Sequence, residues 1–191
     1  MRVSLPVLLV ACVPAVALAQ RPDRVEQFAT MDLITTSVDA AHARASGFGA
    51  RGWGGTIGAG MEYLRALAIG LDGSFMRHSD TQQFRQSTTR GTKRSFVDAW
   101  SGSVWAGLRA PAMARLVVGA NGGFQGFSAS RTIPDCVDCR VDKLSLNGGM
   151  FVEPVAYIRR PGVGGHVAYR HFLGDGHVRS SLLIGARITS R

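Results

Sequence analysis

From about residue 29 onward the chain alternates apolar and polar positions with a period of two. Trp53, Ile57, Ala59, Met61 and Tyr63 fall on one face of an extended segment, and Gly54, Thr56, Gly58, Gly60 and Glu62 on the other. Leu67, Ile69, Leu71 and Phe75 oppose Ala68, Gly70, Asp72, Ser74 and Met76 in the segment that follows. Leu144, Leu146, Met150, Val152, Ala156 and Ile158 likewise oppose Ser145, Asn147, Gly149, Glu153 and Tyr157, and Val178, Leu182, Ile184, Ala186 and Ile188 oppose Arg179, Ser181, Gly185 and Arg187. Turn-forming residues divide the chain into eight predicted strands at 29–42, 52–64, 67–79, 95–109, 114–130, 143–159, 164–173 and 177–190. Asp32 and Asp39 interrupt the first of these, and both faces of 95–109 mix polar with apolar groups.

The connections add independent information. Tyr63-Leu64-Arg65-Ala66, Arg109-Ala110-Pro111-Ala112-Met113 and Arg159-Arg160-Pro161-Gly162 are tight, whereas 43–51, 80–94 and 131–142 are longer and polar. The last connection, Gly174-Asp175-Gly176, is short. Tight turns at one end and longer loops at the other predict an all-β, eight-stranded antiparallel up-and-down transmembrane β-barrel.

A water-soluble barrel also alternates, so the character of the two faces decides. Glycine accounts for 24 of the 191 residues, well above its usual share of about 7%. A solvated face gains nothing from Gly54, Gly58, Gly60, Gly70, Gly149 and Gly185, because glycine weakens a strand by about 0.5–1 kcal/mol relative to alanine. The narrow lumen of an eight-stranded barrel has a use for them. The apolar face then meets lipid, with Trp53, Tyr63, Trp100, Trp105, Tyr157 and Tyr169 as candidates for interfacial aromatic girdles. The inner face receives Glu62, Asp72, Glu153, Arg170, Arg179 and Arg187, three acids and three bases whose mutual pairing predicts a charge network plugging the lumen.

The first residues read differently. Met1-Arg2 supplies a positive end, Val3 to Leu18 is apolar apart from Ser4, and Ala17-Leu18-Ala19 precedes Gln20. That is the pattern of a secretory signal peptide, residues 1–19, cleaved after Ala19 to leave a barrel domain at 20–191. Cleavage takes Arg2 away and lowers the net charge from +9 to +8. It also removes Cys12, leaving Cys136 and Cys139, an even pair that in an exported chain points to a disulfide stapling a loop. No further apolar run reaches the ~18 residues of a membrane-spanning helix. No motif for a metal or a cofactor is present, and the scattered arginines form no stripe for nucleic acid.

A signal peptide, eight strands, alternating loop lengths and a last strand carrying Gly185 and Ile188 together resemble the small outer-membrane barrels of the OmpA/OmpX type, over residues 29–191. The chain ends on Thr189-Ser190-Arg191 where such barrels carry an aromatic residue. The resemblance implies a non-enzymatic outer-membrane protein, inserted by the barrel-assembly machinery as a monomer, with a role in envelope structure or surface interaction. Eight strands leave no room for a wide pore. Arg85, Arg90, Lys93 and Arg94 in the long 80–94 loop are candidate contacts for anionic lipid, the phosphates of lipopolysaccharide in particular. Two alternatives come from other classes. A lipid A-modifying hydrolase would combine His171 with Ser180 or Ser181 and Glu153, but Leu173 stands where deacylases of that kind carry a serine. A soluble periplasmic lipocalin-like binding protein would turn its apolar face inward.

Overall fold

The computed structural model describes residues 25–80, 84–85, 92–93, 96–132 and 143–189. Its wall is made of β1 (Val25–Val38), β2 (Phe48–Tyr63), β3 (Leu67–Asp80), β4 (Phe96–Pro111), β5 (Leu116–Thr132), β6 (Gly149–Ile158), β7 (Gly162–Phe172) and β8 (Val178–Thr189). Every strand pairs antiparallel with its neighbours in sequence, and β8 returns to β1, with Phe28 opposite Thr189. The result is a closed eight-stranded up-and-down barrel. Two-residue pieces at Phe84–Arg85 and Thr92–Lys93 pair with each other, and Lys143–Leu144 extends the sheet beside β5.

The two faces of the wall are inverted relative to a water-soluble barrel. Leu33, Trp53 and Ile57 are 75%, 69% and 66% exposed on the outside, whereas Glu62 and Arg170 are each 1% exposed within. Burying ions and presenting aliphatic side chains makes sense only where the outer medium is apolar and the inner groups pair with one another. Apolar exteriors on all eight strands therefore disfavour the lipocalin-like alternative. Trp53, Trp100 and Tyr169 are exposed on that outer surface.

Several local expectations need correction. β1 ends at Val38, not at residue 42, because Asp39 caps a helical turn, α1 (Ala40–Ala45), through Oδ2 accepting the His42 N–H at 3.0 Å. β6 begins at Gly149, not at residue 143; Leu146 is buried beneath the loop end, where its apolar side chain helps close the mouth, not on the outer face. Trp105 and Tyr157 leave the aromatic girdle for the interior. Trp105 lies over Gly70, where an added Cβ would come within 2.4 Å of the indole, and stacks on Phe28 at 6.1 Å. Tyr157 is 2% exposed and hydrogen-bonded to Glu62. Glycine also serves more than the lumen. A Cβ at Gly185 would meet the Met31 carbonyl oxygen at 2.0 Å, which records close approach of β8 to β1, whereas Gly102 faces outward with nothing within 4 Å.

Candidate functional site

The lumen holds two ionic clusters, each organised around one residue. In mid-barrel, β7 aims Arg170 across the interior. Its Nε donates to Glu153 Oε2 at 2.7 Å, Nη2 to Asp72 Oδ2 at 2.9 Å, and Nη1 to Gln125 Oε1 at 2.7 Å. The acceptors are held in turn: Ser103 Oγ donates to Asp72 Oδ2 and Asn121 Nδ2 to Glu153 Oε1, both at 2.7 Å. The guanidinium also lies 4.1 Å from the Phe151 ring centroid. A planar fork of donors is suited to serving acceptors from several strands at once, which a lysine ammonium cannot match in geometry.

Toward the short-turn end the polarity reverses, and a carboxylate is central. Glu62 accepts from Arg187 Nη2 at 2.9 Å, from the Tyr157 hydroxyl and from Arg159 Nη2. Arg187 reaches Glu26 as well, at 3.5 Å, and its guanidinium sits 3.7 Å from the Phe28 ring centroid and 4.0 Å from that of Tyr157. Between the clusters, Asp32 and His166 meet at 2.8 Å. A residual cavity of about 30 Å³ lies there, large enough for a water or two. Asp32, Arg109, Asn121 and Arg187 line it, and each has one buried polar atom without a protein partner. Among the described residues, no group of three or more His, Cys, Asp or Glu side chains is arranged to hold a metal.

Glu62, Asp72, Glu153, Arg170 and Arg187 are thus all inside, divided between the two clusters. Arg179 is not. A bulge in β8 itself, where Ser180 and Val178 pair with the consecutive Ser37 and Val38 and Arg179 is the extra residue, reverses the local phase, so Val178 turns inward and Arg179 outward. There Arg179 Nη2 donates to Asp39 Oδ1 at 3.1 Å on the loop face. The His42 N–H and then Arg179 hold the Asp39 carboxyl below the ordinary carboxylate range. Of the basic loop residues, Arg85 and Lys93 lie on the short hairpin; Arg90 and Arg94 fall outside the described residues, as do Cys136, Cys139 and residues 1–19.

The residues of the hydrolase alternative do not converge. His171 and Ser180 face each other across β7 and β8 on the outer surface, Ser181 is buried inward at 3.1 Å from Thr36, and Glu153 is engaged by Arg170 and Asn121. Residues missed in the charge pattern include Glu26, Asp32, Arg109, Asn121, Gln125, Tyr157, Arg159 and His166. Strict alternation from Met31 and Leu33 places Asp32 inside, and that was the available signal for one of them. The neutral partners carry no charge by which to find them, and Arg159 stands just past the end of β6, at the start of the tight turn.

No family model and no curated protein matches the chain. Among solved structures it is similar to Ail, the attachment invasion locus protein of Yersinia pestis, crystallised with the heparin analogue sucrose octasulfate. That similarity has a TM-score of 0.52 at 13% identity, over 87% of this chain and 97% of Ail. A further structure of Ail gives a TM-score of 0.51 at the same identity and coverage. Neisserial surface protein A gives 0.52 at 15% identity, over 86% of this chain and 94% of that one. Both proteins are small eight-stranded outer-membrane barrels. At such identities the likeness is one of fold, and the fold is theirs.

Proposed function

We propose that this chain is a non-enzymatic barrel of the outer membrane whose lumen is shut and whose loop face meets partners at the cell surface. The observation that carries the reading is the inverted wall: aliphatic and aromatic side chains outside, with Arg170 and Glu62 each tying several strands together inside. A lumen crossed by hydrogen-bonded ions is a plug, and an outer surface of this kind needs lipid around it. The fold shared with Ail and Neisserial surface protein A supports a surface role. Export through residues 1–19, insertion by the barrel-assembly machinery and a monomeric state belong to the same reading, as does a disulfide between Cys136 and Cys139 in an oxidising compartment.

The partner we assign to the loop face is lipopolysaccharide. Arg85, Arg90, Lys93 and Arg94 bring four cations into one connection of a chain with net charge +9, and arginine forks match phosphate oxygens. Fractionation of cells producing the full chain tests the location: recovery in the outer membrane, solubility only in detergent, and slower gel mobility after boiling are the expected results. Recovery as a detergent-free periplasmic protein would overturn the proposal. Binding of the folded barrel to lipopolysaccharide vesicles tests the partner. A variant with serine at all four basic positions should bind more weakly and with a shallower salt dependence; unchanged binding removes lipopolysaccharide from the proposal.

A further inference from the structure

Three connections at the loop end are tied together by two imidazoles that contribute nothing to the strand pairing. His42 on α1 and His177, just ahead of β8, stack with ring centroids 3.5 Å apart and planes 8° from parallel. Each ring also grips the segment 145–148. His42 Nε2 lies 2.9 Å from the Ser145 carbonyl oxygen, and the Asn147 N–H donates to His177 Nδ1 at 3.2 Å. Backbone bonds reinforce the same junction, from His177 N–H to the Asn147 carbonyl at 3.0 Å and from Asp39 N–H to the His177 carbonyl at 2.8 Å.

The partners dictate where the protons sit. A carbonyl only accepts, so His42 Nε2 carries a hydrogen; an amide N–H only donates, so His177 Nδ1 carries none. Protonating His177 at Nδ1 therefore destroys the bond to Asn147. It also places a cation face to face with a second titratable ring at stacking distance. We propose that His42 and His177 form an acid-sensitive latch, clipping the segment 145–148 over the barrel mouth at neutral pH and releasing it in mild acid.

The surrounding charges leave the pair as the responsive element. The charged side chains on the elements packed against it are Asp39 and Arg44 at α1, Arg51 on β2, Arg131 on β5, whose Nη2 donates to the Ser46 carbonyl just past α1, Lys143 ahead of the clipped segment, Asp175 between β7 and β8, and Arg179 on β8. A further imidazole, His78 on β3, lies behind Phe48 with its Nδ1 on the Gly49 carbonyl. Arginine and lysine stay cationic across the range concerned. Asp39 is held ionised by the His42 N–H and Arg179. Burial pushes the His177 imidazole below its ordinary value of 6.5, and His42 beside it pushes the same way. The latched state then binds a proton more weakly than the released one. Linkage makes latching complete above that ordinary value and progressively weaker as the pH falls beneath it.

Amide hydrogen exchange on the full mature chain, folded in detergent micelles, tests the latch. Exchange at Asn147 and His177, corrected for intrinsic rates, is compared between about pH 7.5 and about pH 5, with the heat-dependent gel shift confirming an intact barrel at both. The expected result is a loss of protection of about tenfold or more at these two amides in acid, with Leu183 in β8 unchanged. A variant carrying His42→Gln and His177→Gln should show no such step, whatever its protection at neutral pH. A parent chain without an acid-induced loss, or a double variant that retains it, overturns the latch.

Discussion

The two ionic clusters of the lumen solve one problem with opposite central charges. In mid-barrel a single guanidinium, Arg170, holds two carboxylates from β3 and β6, and all three groups are sealed from water, with side chains 1%, 6% and 5% exposed. At the short-turn end a single carboxylate, Glu62, holds two guanidiniums, and the outer members of the cluster reach solvent: the side chain of Arg159 is 19% exposed, and that of Glu26, which pairs with Arg187, is 23% exposed. The contrast shows what limits charge in a narrow interior. A central residue can collect opposite charges from several strands, but the cost of losing it depends on whether water reaches the groups left behind.

Arg170→Met attacks the sealed mid-barrel cluster and should have the largest effect. It strands Asp72 and Glu153 as unpaired anions in a buried site, a situation that costs about 3–5 kcal/mol. Urea unfolding in lipid vesicles measures the loss; a value no greater than that of the Glu62 variant would erase the distinction between the two clusters. Ile184→Arg places the same charge on the opposite face of β8, where Ile184 is 54% exposed. A cation on the lipid face costs about 2–4 kcal/mol at mid-bilayer depth, and the fraction of chain showing the folded, unheated gel mobility should fall. Glu62→Gln keeps the shape of the residue and removes the central charge at the wetter end, with an expected loss of about 1–3 kcal/mol in the same unfolding assay. Asp98→Asn weakens the pair that Asp98 makes with Arg77 outside the lumen. The Arg77 side chain is 40% exposed there, so the change should stay below about 1 kcal/mol. A larger loss would mean that pairing on the outer surface matters as much as pairing inside.

Much of this was legible in the chain because a lipid-facing wall tolerates few interruptions. Ile57, Ala59 and Met61, or Ile69 and Leu71, alternate cleanly with inward residues since every outward position meets hydrocarbon, and the strand count and short turns follow from that. The readings failed where something else competed. Asp39 looked like a flaw in a strand because a carboxylate's preference for a helix start is invisible to a period-two pattern. Val178 and Arg179 exchanged faces because β8 carries a bulge at Arg179, an extra residue that reverses the phase of the strand and that a period-two pattern does not mark. In β4 the two faces resembled each other because the lumen accepts small residues such as Ala99, Ser101 and Ser103 as readily as ions. Asn121, Gln125 and Tyr157 could be assigned as partners only once Arg170 and Glu62 had positions in space.

Each strand touches its successor in the chain, and only the seam joining Val25–Val38 to Val178–Thr189 links residues from opposite ends of the sequence. Hairpins can therefore grow one upon another at small entropic cost, while sealing the ring closes a loop of nearly the whole polypeptide in one step. Until that step both rims remain unsatisfied in hydrocarbon, which makes the final stitch the point at which a half-finished sheet is most exposed to pairing with the wrong strand.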